Sequence, residues 1–172
     1  MAKIVRDTRD KAGKHINVDA YLSRHGHELI YRKLDVGDIS IDGDESVCID
    51  LKRNLEELSK NLMNRSDKSR FYKEIRRSKE RGIKLYVLCE HGCGIKSIAD
   101  VAAWRSAYSG VVGRDLMERI YAAHIGYGVE FLFCDKRSTG RTVAEILKLE
   151  DGDARPSTSA GGPSFDEETR RG

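Results

Sequence analysis

Apolar and polar positions along the chain follow two periods, and the changes between them mark out the elements. A short apolar run from Lys3 to Asp7 predicts a strand, Val18 to Arg24 a short helix, and Glu28 to Leu34 a second strand. Asp38 to Ile41 alternates polar and apolar residues, and Asp42-Gly43-Asp44-Glu45 supplies turn chemistry. Alternation resumes from Ser46 to Lys52, with Val47, Ile49 and Leu51 on one face. These predict strands three and four, joined as a hairpin. From Asn54 the period becomes helical: Leu55, Leu58 and Leu62 form one stripe, Asn64 to Ser69 interrupts it, Phe71, Tyr72 and Ile75 resume it, and Arg81-Gly82 stops it. Lys84–Cys89 and Val129–Cys134 are nearly continuous apolar runs, as expected of central strands covered on both faces. A helix starting near Gly113 runs between them through Leu116, Met117, Ile120 and Tyr121. A last helix, starting at Ser138 or Thr139, carries Ala144, Ile146 and Leu147. The expected fold is α/β, a mixed central sheet flanked by helices.

That pattern stops near Glu150. The segment from Asp151 holds both prolines and one large apolar residue, Phe165, so it cannot offset its ordering entropy by burial. The expected organisation is one folded domain over residues 1–150 and a disordered tail over 151–172. Of the 172 residues 39% are hydrophobic, enough for a real core. No run approaches the roughly 18 apolar residues of a membrane helix, and no apolar stretch follows the basic start in the manner of a secretory signal. The expected location is intracellular, either cytoplasmic in a bacterial or phage-infected cell or nuclear in a eukaryote. The expected state of Cys48, Cys89, Cys93 and Cys134 is reduced. The net charge of +3 says less than its distribution. From Lys52 to Lys84 there are twelve Lys or Arg against five Asp or Glu, the most basic stretch of the chain.

Chemistry concentrates on the hairpin. Asp38 opens one strand after Gly37, and Asp50-Leu51-Lys52 ends the other. A period of two puts Asp50 and Lys52 on one side, and pairing brings Asp38 alongside them. Two carboxylates suit Mg²⁺, which keeps several waters and takes further ligands from substrate phosphate. A lysine beside them can orient a water or stabilise charge on a phosphorane. The competing reading of the same residues is a solvated surface ion pair.

The ordered set resembles the nuclease domain of XPF-type structure-specific endonucleases, in the PD-(D/E)xK superfamily with its restriction-endonuclease-like fold. The family's D-x-R-E stands here as Asp7-Thr8-Arg9-Asp10, its G-D as Gly37-Asp38, and its E-R-K as Asp50-Leu51-Lys52, with Glu56 in the place of the following acid. A basic helix and an apolar strand ending at Glu90 come next, so the resemblance runs from about Ile4 to Leu149. Three positions depart from the pattern: Asp50 stands for the glutamate of E-R-K, Leu51 for its arginine, and Asp10 for the glutamate of D-x-R-E. The family's tandem helix-hairpin-helix elements have no counterpart, which makes the chain look like the small single-domain relatives of bacteria and phages.

The resemblance implies that Asp38 and Asp50 bind Mg²⁺ or Mn²⁺, that Lys52 positions the attacking water, and that Asp7 and Arg9 lie at the edge of the same site. It also implies a DNA endonuclease acting on branched or flapped DNA, with pairing of two copies possible. A module of the same fold that binds DNA without cutting is the alternative. Arg65, Lys68, Arg70, Lys73, Arg76 and Arg77, continued by Lys79 and Arg81, form either a path for the DNA backbone or a solvated face. Arg9 has a structural reading as the partner of Asp7 or Asp10, Glu90 one as a solvated strand end, and Tyr72 one as core rather than a base-stacking residue. The segment Asp100 to Tyr108 is either a loop over the site or a packed helix. Cys89, His91, Cys93 and Cys134 carry a zinc reading that competes with buried small hydrophobes.

Overall fold

A computed structural model describes residues 1–10, 14–64 and 69–149. The tail and two of the basic residues named above, Arg65 and Lys68, lie outside the described residues. In chain order the elements are β1 (Lys3–Asp7), α1 (Ile16–Arg24), β2 (Glu28–Arg32), β3 (Ile39–Ile41), β4 (Asp44–Lys52), α2 (Leu55–Leu62), α3 (Arg70–Glu80), β5 (Lys84–Cys89), a 3-10 turn (Ala99–Ala103), α4 (Gly113–Tyr127), β6 (Glu130–Phe133) and α5 (Thr139–Ile146). The basic stretch thus forms two helices, each with its own cap: Asn54 Oδ1 accepts from Glu57 N, and Ser69 Oγ accepts from Tyr72 N. The segment from Asp100 begins in the 3-10 turn, which buries Val101 and half-buries Trp104 in the core.

All six strands form one sheet, ordered β2-β1-β3-β4-β5-β6. β3 runs antiparallel to both β1 and β4, and the remaining pairs are parallel. One consequence positions the site. Because only β3 is reversed, its first residue lies beside the last residues of β1 and β4, so Asp7, Asp38 and Asp50 arrive at the same edge. Backbone bonds join them there: Asp7 N donates to Asp38 O at 2.8 Å, and Asp38 N to Ile49 O at 2.7 Å.

Successive residues of β4 serve opposite layers. Ile49 and Leu51 pack with Val18 and Leu22 of α1 and Val143 of α5, whereas Cys48 packs with Leu55, Leu58, Phe71 and Ile75 beneath α2 and α3. Asp50 and Lys52 continue the Cys48 face at the point where the helical cover opens. In β5, Leu85, Val87 and Cys89 enter one core and Leu88 the other, which explains its uninterrupted apolar run. Among the described residues no helix is long and apolar enough to cross a membrane.

Candidate active site

The edge opens into a cleft of about 610 Å³ lined by Asp7, Arg9, Asp10, Lys14, Asp38, Asp50, Lys52, Glu57, Arg70, Phe71 and Glu74, among others. All five residues assigned to catalysis from the sequence therefore meet in one cavity. A second groove of about 210 Å³ shares Arg9, Arg70 and Glu74 with it and adds Asp35, Lys73 and Arg77.

The two acids are held differently. Asp38 Oδ2 accepts from Leu51 N at 2.8 Å, so the opposing strand fixes its direction. Asp50 is 4% exposed. Its Oδ2 lies 2.5 Å from Lys52 Nζ but accepts no aligned hydrogen bond. Burial, followed by the charge of Asp50, raises the Asp38 carboxyl from 3.8 to about 7. Burial also raises Asp50, against the pull of Lys52. For Lys52 burial works against the charge, but Asp50 and Asp38 outweigh it and raise the group. Lys52 is therefore a firm ammonium at neutral pH, able to stabilise negative charge and unable to serve as a base. Phe71 closes its other side, the ammonium standing 5.4 Å from the ring centre.

A buried Asp50 and a half-buried Asp38, both raised by burial and with one Asp50 oxygen lacking an aligned donor, are poorly satisfied by the protein alone. A divalent cation between Asp38 and Asp50 fits that deficit, since Mg²⁺ needs only one or two carboxylates. Among the described residues no group of three His, Cys, Asp or Glu could hold a metal ion. The zinc reading accordingly finds no support there: Cys89 is buried in the core, Cys93 is exposed, and His91 Nδ1 accepts from Leu55 N at the start of α2.

Folded-state pKa values above the unfolded ones carry a sign. With Asp38 raised, the native state binds its proton more tightly, so this contribution to stability is present below about pH 4 and is lost as pH rises to about 7. In chelator, the Asp38→Asn variant is expected to gain stability relative to the native chain across that window, with no further gain above it. Urea unfolding at a series of pH values checks this; a difference independent of pH would contradict it.

Gly37 makes the Asp38 position possible. Its φ is +73°, and a Cβ there would sit 2.9 Å from Ile49 O and 3.1 Å from Cys48 Cβ. Its N–H donates to Glu74 Oε1 at 2.6 Å. Gly37→Ala is expected to lower stability by about 1–3 kcal/mol, read as a reduced urea midpoint. An unchanged midpoint would show that the strand accommodates the side chain.

Asp7 and Arg9 act as a unit at the rim. Asp7 accepts from Arg9 N at 2.7 Å, from Arg9 Nε and from Leu34 N at 3.0 Å, and Arg9 also donates to Leu34 O. Burial opposes the Asp7 charge, but these donors hold it below the usual carboxylate range. The structural reading of Arg9 thus describes its geometry, and the pair lines the cleft as well. Asp10 pairs with Arg6 at 3.2 Å and with Lys14 at 3.7 Å.

The structure places the other residues singled out in the sequence as follows. Glu56 does not face the cleft: its carboxylate accepts from Ser106 Oγ and Ala107 N, and its neighbour Glu57 takes the cleft position. Glu90 turns toward His15, 3.5 Å away, and lines neither cavity. Of the described basic residues, Arg70, Lys73 and Arg77 share a helical stripe and line the cavities, but Arg76 lies off that stripe and lines neither. Arg77 donates to Asp35 O, while Arg70 and Lys73 form no ion pair among the described residues. Tyr72 packs against the core, its hydroxyl donating to Leu62 O at 3.2 Å.

Glu74, Lys14 and Glu57 had no signal in the sequence. Glu74 is raised by burial and then by Asp38, against the bond from Gly37. Lys14 Nζ lies 3.0 Å from Glu57 Oε1, joining the segment before α1 to α2 along one wall. Burial opposes the Glu57 charge, but the Arg53 amide and Lys14 lower it to about 2.

No protein-family model matches the chain, and no curated protein matches it. Solved structures do. XPF from Aeropyrum pernix superposes with a TM-score of 0.63 at 18% identity, covering 86% of this chain and 64% of that one. The same protein in complex with DNA gives 0.62 at 18%, covering 87% and 64%. The chain has an XPF-like nuclease fold. It spans slightly under two thirds of the length of those XPF chains, and at this identity the likeness establishes architecture. Within the XPF-like sheet, Asp38, Asp50 and Lys52 occupy the edge at which β1, β3 and β4 converge.

Proposed function

We propose that the cleft hydrolyses DNA phosphodiester bonds with the help of a divalent metal, at branched or flapped DNA. The observation that carries this reading is the meeting of Asp38, Asp50 and Lys52 in one cavity that continues into the Arg70, Lys73 and Arg77 groove. Asp38 and Asp50 hold the Mg²⁺ or Mn²⁺. Bound there, the metal supplies Lewis-acid stabilisation of a phosphoryl oxygen and a more acidic water. Lys52, as an ammonium, orients the attacking water and donates to negative charge as it develops on the phosphorane. Attack is in line and leaves 5′-phosphate and 3′-hydroxyl ends. Arg70 and Lys73, free of ion pairs with described residues, neutralise backbone phosphates beside the cleft. Preference for a branch rests on the XPF-like architecture, as does pairing of two copies.

The experiment is cleavage of end-labelled flap, fork and blunt duplex DNA with Mg²⁺, by the native chain, Asp50→Asn and Lys52→Ala. The expected outcome is cutting of the flap or fork by the native chain alone. Equal cutting by all three would place the chemistry elsewhere. The second reading, a module that binds DNA without cutting, draws on the contact of Lys52 with Asp50, in which the ammonium sits against a proposed metal ligand. Salt-sensitive binding with no metal-stimulated product would select it.

A further inference from the structure

Tyr108 is 86% exposed, and it belongs to neither hydrophobic core. The turn that presents it is nonetheless tightly built. Ser106 is buried, its Oγ accepts from Tyr108 N at 3.2 Å and from Ser109 N at 2.9 Å, and it donates to Glu56 Oε2 at 2.9 Å. Glu56 Oε1 takes Ala107 N at 2.9 Å, and Ser106 N donates to Val111 O at 3.0 Å. The backbone that carries this exposed ring is therefore held by a network that covers nothing with it.

The anchor of that turn is the first turn of α2. Glu56 holds it, while Glu57 and Arg53 from the same end of the helix line the cleft. Arg105 precedes the turn and bridges to Val112, and Arg114 follows in the first turn of α4. Both arginines are exposed and form no ion pair among the described residues. Ala107, Ser109 and Gly110 of the same turn are exposed, Trp104, Val111 and Val112 beside it in the chain are half-buried, and Asp115 after it is an exposed acid. A protein partner would want contiguous apolar surface around such a ring, as interface hot spots have. A single exposed ring with an exposed arginine before it and another after it in the chain fits an unpaired nucleobase and its phosphates. Paired bases of a duplex offer no face for it.

We propose that the Ser106–Ser109 turn is a stacking platform for a single-stranded arm of DNA passing the α2 end of the cleft. This rests on the nuclease reading and names the part of its substrate that the turn contacts. Pre-ordering of the turn means that little conformational freedom is lost when a base stacks.

The test uses the full chain carrying Asp50→Asn, to prevent cutting, and fluorescence anisotropy of two labelled probes: a fork with single-stranded thymidine arms and a blunt duplex. Adding Tyr108→Ala is expected to weaken fork binding about tenfold, and adding Tyr108→Phe to preserve it, with duplex binding unaltered by either. Because the side chain is outside both cores, both variants should unfold at the same urea concentration as their parent. Fork affinity unchanged by Tyr108→Ala, or fork and duplex weakened equally, overturns the platform and leaves the nuclease reading intact. A parent chain that binds neither probe overturns both.

Discussion

Lys52→Ala and Asp50→Asn are expected to abolish the same activity while moving stability in opposite directions. Each variant should lower metal-dependent cleavage by roughly 10²–10³-fold or more, since each removes a preorganised charge aimed at the reacting phosphate. Their effects on the metal-free protein follow from the cleft. Asp50 is buried beside Asp38, and both carboxyls are pushed up, so neutralising Asp50 relieves repulsion. Asp50→Asn should therefore be more stable than the native chain in chelator at pH 8, by on the order of 1–3 kcal/mol. Lys52 offsets both acids, and its removal leaves them facing each other, so Lys52→Ala should lose stability by a similar amount. Chemical unfolding beside flap cleavage checks the pair. If both variants lost stability, reduced cutting would be a folding defect and the metal-site reading would lose its support.

Arg6→Leu is expected to have the largest effect on folding. Arg6 is 4% exposed. It donates to Asp19 of α1 at 2.7 Å and to Asp10 at 3.2 Å, and its third arm reaches Asp38 O at 3.4 Å. It ties β1, α1, the cleft rim and the start of β3 together. Removing it leaves the Asp10 side chain, also buried, with the more distant Lys14 as its ion-pair partner among the described residues. Breaking a buried ion pair from one side typically costs about 3–5 kcal/mol, so the urea midpoint should fall sharply. Arg6→Lys should recover only part of the loss, because one ammonium cannot reproduce the fork of the guanidinium toward two carboxylates and a carbonyl. Complete recovery would show that net charge alone matters at this position.

The residues that were legible share a property. Asp50 and Lys52 could be placed on one side because alternation in β4 is a matter of neighbouring residues, and the hairpin made Asp38 their partner for the same reason. The apolar run of β5 announced a buried central strand and the stripe of Leu55, Leu58 and Leu62 announced α2, but the similar run of β6 lies at the edge of the sheet, with only Phe131 buried and Leu132 exposed, because no further strand pairs with it among the described residues. Gly37 ahead of Asp38 was visible as part of a motif, although its reason, a left-handed backbone pressed against Ile49 O, was not. Glu56 and Glu57 show where such reading ends. Adjacent residues on a helix point about 100° apart, and which one faces the cleft depends on how α2 rolls against the sheet. The orientation of α3 likewise keeps Arg70, Lys73 and Arg77 beside the cavities and carries Arg76 away from them. Glu90 and His15, 75 positions apart in the chain, meet only because α1 packs across the end of β5.

Interactions between near neighbours along the chain were enough to specify most strands and helices, the α/β class and the meeting of Asp38, Asp50 and Lys52 at one edge, because backbone sterics impose their periods over a few residues. Contacts between distant segments set the rest: the sheet order, the entry of Lys14, Glu57 and Glu74 into the cleft, the diversion of Glu56 to the Tyr108 turn, and the burial that pushes Asp38 up. Those outcomes depend on desolvation and on charges brought together by packing. Neither is a property of any short stretch of residues.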